Sequence, residues 1–349
     1  MILSAVEAIA PAIQRTKQFL FQPFRLGTYL KLCLVALLTE GFSSNFRSHG
    51  HGEETTHGPV LPPFTPTPLT IAAAIAMVLL ALLIVLGIFY LITRLRFAFF
   101  HCLIHNSKQI RPGWHLYRSQ ADRFFWMNLA VGACFLLLIL VVALPFLAGF
   151  LRLFREMSDT GRPDLPLILS LGLPLIPVIL LLVLLGFAAD IILRDFMLPH
   201  YALDNATAGQ AWAAVRDRIA AEKGMFFGYA RLRIVLPIIG VILLFALFVL
   251  PAVAFFAVFA VTGIGVHQAF ADATGAMAFV RVFFEVLIGL VAFVLGVLIT
   301  IACGGPLSTA TRQYALLFYG ARYQPLGILL FPPPPMPFAP PASAAPSPA

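Results

Sequence analysis

Apolar side chains occur along this chain in long blocks, and short polar connectors separate the blocks. Four of the five longest blocks carry no charged side chain, and the fifth carries only Glu285. Each is long enough to cross a bilayer as a helix, because about 20 apolar residues span the roughly 30 Å of hydrocarbon. A shorter block contains Lys31, whose ammonium group can reach the headgroups, and is predicted as a further span. The predicted spans, about six, lie near 26–39, 69–92, 124–151, 165–189, 234–262 and 282–303.

These spans predict an all-α fold, a polytopic transmembrane helical bundle that forms one membrane domain over residues 1–330. Short amphipathic segments between the spans predict interfacial helices on the cytoplasmic side. Near the N-terminus, Val6, Ile9 and Ile13 follow helical spacing on one stripe. Another such helix is predicted to begin at Thr207, because Gln210 stands at the position that completes a capping box.

Composition agrees with a membrane protein and excludes an ordinary soluble domain. Hydrophobic residues make up 60% of the chain and charged residues only 11%, and the mean hydropathy is +0.94. The last stretch, 331–349, is rich in Pro and Ala. A stretch of this composition cannot form a core and is predicted to be a disordered tail.

The basic residues are unevenly distributed, which predicts the orientation of the spans. Seventeen Lys and Arg side chains lie on the two ends and on every second connector, against four on the alternate connectors. The positive-inside rule therefore places both termini in the cytoplasm. Basic connectors that face anionic lipid headgroups also account for the net charge of +8, so no nucleic acid partner is expected.

Aromatic and basic side chains occur together on the predicted cytoplasmic connectors. Trp at this level is typical of an interface with lipid, where a ring is half in the apolar layer and half in water. The sequence therefore predicts a collar that faces lipid and contacts anionic headgroups. The predicted collar residues are Arg94, Arg96, Trp114, Trp126, Trp212, Arg216 and Arg218.

Ionisable side chains near the span ends suggest structural ion pairs. Asp190 and Arg194 are four residues apart at the inner end of one span, and Arg281 and Glu285 are four apart at the outer end of another. Each pair can neutralise itself on one helical face, so both are interpreted as structural rather than as an ion path.

Only one loop has the composition of a metal site. His49, His51 and His57 lie close to two glutamates in the first outer connector, and imidazole and carboxylate groups bind zinc, copper or nickel. Neither cysteine nor helical spacing organises these ligands in advance. Adventitious binding or none is therefore the favoured interpretation, and no cofactor is expected.

Several stretches resemble a known kind of protein when they are taken together. They are Phe21–Arg25, Arg94–Phe100, Gly113–Arg118 with Arg123–Phe125, and Asp195–Pro199 followed by Trp212. The chain resembles uncharacterised prokaryotic six-span membrane proteins, distantly similar to the membrane domain of membrane-anchored glycerophosphodiester phosphodiesterases. The resemblance implies a location in the prokaryotic cytoplasmic (inner) membrane. It implies no activity, because catalysis in the enzymes belongs to a separate soluble barrel.

The sequence excludes several classes of function but contains no motif that identifies one. No phosphate-binding loop, dinucleotide fingerprint or nucleophile elbow is present, and the longest hydrophilic connector, 190–233, is too short for an independent enzyme core. We therefore expect a non-enzymatic membrane protein that organises lipid or a partner protein through its collar. The alternative is a permease for a small apolar or amphiphilic solute. The sequence does not identify a protein partner.

Overall fold

The fold is all-α. The computed structural model describes residues 3–41, 68–160, 165–270 and 276–332, and these contain no strand, which confirms the predicted fold class. The helices are α1 (Ile9–Phe21), α2 (Leu26–Ala36), α3 (Pro68–Ile104), α4 (Ile110–Leu116), α5 (Arg118–Thr160), α6 (Leu165–Ile191), α7 (Leu198–Leu203), α8 (Ala208–Ala221), α9 (Lys223–Ala269), α10 (Ala276–Gly320) and α11 (Gln324–Leu330). Two π-helical turns, Leu37–Gly41 and Ile192–Met197, extend α2 and α6.

Within the part of the chain that the structure describes, five helices are long and apolar enough to cross a membrane. Each overlaps one of the predicted spans that begin at residue 69 and beyond, so hydropathy located these elements correctly. The apolar segments run over Pro68–Ile104, Arg118–Glu156, Ile168–Leu203, Lys223–Phe248 and Met277–Gly320.

The segment predicted as the first span, 26–39, differs from the other five. Helix α2 has 11 residues and the π turn after it has five, fewer than the about 20 that cross a bilayer. The sequence places Glu40 in an outer connector, yet its carboxylate contacts Arg194 and Arg233, which the sequence places on the inner side. A helix that crossed between residues 26 and 39 would carry Glu40 to the opposite face. These contacts therefore argue against a crossing by residues 26–39, and a sixth crossing stays a prediction.

Burial is concentrated at one end of the bundle. In the most apolar 18-residue stretch of each long helix, at most 6% of the residues are buried within the chain. The buried residues instead belong to α1, α2, α4, α7, α8 and α11, to the adjoining ends of α3, α5, α6, α9 and α10, and to the π turns. We call this region the packed end. Surrounding lipid would have to cover the apolar stretches beyond it, since apolar surface in water is unfavourable.

Aromatic rings fill much of the packed end. The Tyr229 ring stacks on Phe318 with centroids 4.4 Å apart, and Phe196 lies 5.1 Å from Tyr319. The two ends of the described chain also meet here. Arg322 donates to the carbonyl oxygen of Leu3 at 3.1 Å, which ties the C-terminal end of α10 to the segment before α1.

Short amphipathic helices surround this end, as the sequence predicts. The backbone N–H of Thr207 donates to the side chain of Gln210 at 3.0 Å, so the predicted capping box is confirmed. Helix α8 buries Ala211 and Val215 and leaves Trp212 47% exposed. The helix therefore presents one apolar face to the core and an aromatic side chain to the surroundings.

We expect Gly305→Ala to destabilise the packed end. A Cβ atom at this position would lie 2.6 Å from the Cα atom of Cys33 in α2, so the helices would have to separate. Overpacking of this kind costs about 1–3 kcal/mol. In the same helix, Gly289 has no atom within 4 Å of an added Cβ, so Gly289→Ala should leave stability unchanged or raise it slightly. The midpoint of thermal unfolding in detergent measures both, and equal midpoints for the two variants would contradict the close approach.

Candidate functional site

Charged side chains from four elements converge inside the packed end. None of these side chains is more than 8% exposed. They come from the two π turns, from α9 and from α10. We call them the charge cluster, and its members are Glu40, Arg194, Asp195, Arg233 and Arg312.

Asp195 is the best-satisfied member of the charge cluster. One carboxylate oxygen accepts hydrogen bonds from the Tyr229 hydroxyl at 2.8 Å and from Nε of Arg233 at 2.9 Å. The other accepts from Nη1 of Arg312, also at 2.9 Å. A buried carboxylate is costly unless it is paired and hydrogen-bonded. This geometry meets that condition and ties α9 and α10 to the end of α6.

Glu40 makes a second set of contacts in the same cluster. Its carboxylate forms an ion pair with Arg194 and accepts from Nη2 of Arg233 at 3.2 Å. Nε of Arg312 lies 3.9 Å away, and Nη1 of Arg312 also donates to the backbone carbonyl of Arg194 at 2.8 Å. The two carboxylates thus share Arg233 and Arg312, so that loss of one changes the surroundings of the other.

Both carboxylates lie in π-helical turns. Glu40 belongs to Leu37–Gly41, and Asp195 belongs to Ile192–Met197 together with Arg194. A π turn adds a residue to the helical repeat, which changes the direction of the side chains that follow, and such turns are frequent at functional sites. Here they bring two acidic residues from distant parts of the chain to the same arginines.

A cavity of about 860 Å³ lies beside the charge cluster. All five long helices line it, and most of its wall is apolar, including Phe89, Ile92 and Phe135. Its charged lining comprises Glu40, Arg96, Asp190, Arg194 and Arg233. Apolar pockets of this size with a few convergent polar groups are typical of sites for small molecules.

Arg96 is the cavity cation with the fewest partners. It is half-buried, and its Nε donates to the backbone carbonyl of Thr39 at 3.2 Å. Within the part of the chain that the structure describes, no carboxylate lies within ion-pair distance of this guanidinium. Chemically, the arrangement is suited to holding an anion rather than to proton transfer, because Arg233 engages both carboxylates of the charge cluster.

A second buried polar group lies around His200. Its ring nitrogens face the Asp204 carboxylate at 2.9 Å and the Tyr319 hydroxyl at 2.7 Å, and Arg218 lies 3.3 Å from the second nitrogen. The neighbouring Tyr323 ring packs on His200. Burial and the Asp204 carboxylate raise the pKa of Tyr323 above its usual range, so it remains a neutral phenol. We interpret this group as a lock between α7, α8 and α10.

The structure separates the arginines of the predicted collar. The Arg94 guanidinium lies over the Trp114 ring, 4.4 Å from its centroid, and Arg218 lies over Tyr323 at 5.2 Å. The Arg216 side chain is 65% exposed. Arg96 differs from these three because it lines the cavity, and its place on the lipid-facing collar stays a prediction.

The other predicted collar residues lie on the outside of the packed end. Trp126 is 67% exposed and Trp212 is 47% exposed, whereas Trp114 is half-buried beneath Arg94. Aromatic rings with this exposure can contact lipid directly.

Both predicted ion pairs are present in the structure. Asp190 and Arg194 are 3.4 Å apart, and Arg281 and Glu285 are 2.9 Å apart. Arg194 also reaches Glu40, so the first pair belongs to a larger network than the local spacing indicated.

The predicted histidine loop, with His49, His51 and His57, lies outside the described residues, as does nearly all of the tail 331–349. Among the residues that the structure describes, no group of three or more His, Cys, Asp or Glu side chains is placed to hold a metal ion.

Sequence reasoning missed the partners that complete the cluster. Arg233 stands directly before an apolar block, Arg312 follows another, and Glu40 was assigned to an outer connector. The one available signal was the charged dipeptide Arg194-Asp195 at a span end, since burial of charge there requires partners. Its spacing identified Asp190 but no residue from another helix.

The fold and the site define a helical protein compatible with membrane insertion, with a packed, charged end and an adjoining cavity. A family model matches residues 3–329. The chain belongs to this family, which is a family of unknown function (DUF7544). No curated protein and no solved structure matches the chain. Nothing in these comparisons supports the resemblance to the membrane domain of glycerophosphodiester phosphodiesterases.

We expect Asp195→Asn to lower the unfolding free energy by about 3–5 kcal/mol, because it leaves buried arginines without their carboxylate. Asp217→Asn is the matched control. It removes an exposed carboxylate 3.3 Å from Arg216, which should cost less than about 1 kcal/mol. Denaturant titration in detergent measures both variants. A loss of similar size in the two would show that the charge cluster does not stabilise the fold.

Proposed function

We propose that this protein is a non-enzymatic membrane protein that gathers anionic lipid at its packed end, on the cytoplasmic side of the prokaryotic inner membrane. The observation that carries the proposal is the outer surface of α8. Trp212 and Arg216 are one helical turn apart and both are exposed, while Ala211 and Val215, on a neighbouring face of the helix, are buried. An exposed ring beside an exposed guanidinium suits the boundary between hydrocarbon and headgroups.

Charge adds to this contact. A Lys or Arg near an anionic membrane surface is worth about 1 kcal/mol. The guanidinium of Arg94 stacks on Trp114, which holds the cation at the edge of the bundle. The orientation follows from the distribution of Lys and Arg along the chain, which favours the cytoplasm for this end.

We expect Arg216→Gln to weaken binding of phosphatidylglycerol about fivefold, which corresponds to about 1 kcal/mol. Trp212→Ala should weaken binding of phosphatidylglycerol and phosphatidylcholine alike, because the ring contacts hydrocarbon and headgroup boundary rather than charge. Native mass spectrometry of the purified full chain, titrated with each lipid, measures the retained lipid.

Arg152→Gln is the matched control for this prediction. Arg152 is exposed on α5, in the terminal part remote from the packed end. Its replacement should change phosphatidylglycerol binding less than Arg216→Gln does. Equal losses would mean that lipid associates with any exposed arginine and would sink the proposal of a specific lipid-gathering surface.

The cavity supports a second candidate, a permease for a small amphiphilic solute. Its volume of about 860 Å³ lies among the five long helices, in the range of small-molecule sites. Gly132 lines it, and an added Cβ there meets no atom within 4 Å. We expect Gly132→Phe to reduce uptake of a fluorescent fatty acid into protein-containing liposomes if the permease hypothesis holds. If liposomes with the wild-type protein took up no more of the fatty acid than protein-free liposomes do, this candidate would be excluded.

A further inference from the structure

Among the residues that the structure describes, the charges around the cavity do not cancel. The charged side chains at its base and directly behind it are Glu40, Arg96, Asp190, Arg194, Asp195, Arg233 and Arg312. Four arginines face three carboxylates, which leaves one positive charge. Cations buried without a counter-ion are costly, so this site favours a bound anion.

The excess charge is located at Arg96. Arg233 contacts both carboxylates of the charge cluster, Arg312 contacts Asp195, and Arg194 contacts Glu40 and Asp190. Arg96 uses only Nε, on the carbonyl of Thr39. Among the described residues, no acceptor meets its two Nη groups. A guanidinium with two free N–H edges matches a carboxylate or a phosphate in a bidentate arrangement.

The remainder of the cavity is suited to a hydrocarbon chain. Its wall rises from Arg96 past Phe89 and Ile92, on preceding turns of α3. On α9 it includes Ile238 and Val241, which are 52% and 57% exposed. The cavity thus opens between the helices onto the apolar surface that their spans present.

We propose that this cavity binds an amphiphile with one acyl chain and one acidic headgroup, whose acid is held by Arg96. The chain of the ligand lies against the apolar wall, and its headgroup supplies the negative charge that the cluster lacks. The site is internal and uses none of the exposed residues of α8, so it is independent of the lipid-gathering surface proposed above. The carboxylate of a free fatty acid and the phosphate of a monoacyl lipid share this chemistry.

Binding of radiolabelled oleate to the detergent-purified full chain tests the proposal. We expect Arg96→Gln to weaken oleate binding about tenfold or more, as expected for loss of a charge-assisted hydrogen-bonded pair. Unlabelled oleyl alcohol, which has the same chain without the charge, should compete at least tenfold less well than oleate in the wild-type protein. Monoacyl phosphatidic acid is tested as a second competitor. If it displaces the label at a lower concentration than unlabelled oleate does, the site prefers a phosphate, and the reverse order indicates a carboxylate.

Two further variants separate headgroup from chain. Arg94→Gln, two residues away on α3 but stacked on Trp114, should bind oleate as the wild type does. Gly132→Phe should weaken oleate binding without altering any charge, because its ring occupies the cavity. Arg96 lies outside the ion pairs of the cluster, so Arg96→Gln should retain the unfolding midpoint of the ligand-free wild type.

The proposal fails if oleate and oleyl alcohol compete equally, or if Arg94→Gln weakens oleate binding as much as Arg96→Gln does. A lower unfolding midpoint for ligand-free Arg96→Gln would also count against it, since that result would assign Arg96 a structural role. Loss of phosphatidylglycerol binding in Arg216→Gln with unchanged oleate binding would show that the two sites are separate.

Discussion

The packed end depends on buried carboxylate and guanidinium groups that pair with one another. Each buried ion costs several kcal/mol in desolvation, which is recovered only when its partners are in place. Asp195 and Glu40 share Arg233 and Arg312, so the two carboxylates have all their partners only when α2, α6, α9 and α10 have assembled. The cluster therefore favours one arrangement of these helices over others that would bury the same apolar surface.

The same constraint accounts for the position of the cavity. Arginines that satisfy the two carboxylates occupy one side of the space among the long helices, while the opposite wall is made of apolar side chains such as Phe135. A polar base under an apolar wall follows from where the charged ends of the helices stop and their apolar stretches begin. The outer surface of α8 has a different origin, because its Trp212 and Arg216 lie on a short helix whose other face is buried.

Local patterns predicted a large part of this structure. The five long apolar helices, the capping box at Thr207 and the pair Arg281–Glu285 all rest on patterns within one helix, which the sequence displays directly. The contact between Glu40 and Arg194 joins positions 154 residues apart and passes through a π turn at each end. Hydropathy gives no information on such a pairing. The spacing of charges along one helix also cannot show which face of another helix those charges contact. For the same reason, the spacing of charges does not show that Arg96 lines the cavity.

Because burial is unevenly distributed, two contributions to stability fall in different parts of this protein. One is the free energy of partition into a bilayer, and the other is the free energy of packing within the chain. Few residues in the apolar stretches of the long helices are fully buried, so the interaction of these stretches with lipid would govern partition into a bilayer. The contacts of the packed end govern the cohesion of the chain. A change in bilayer thickness would then act first on the exposed apolar stretches, while the contacts of the packed end keep the helices joined.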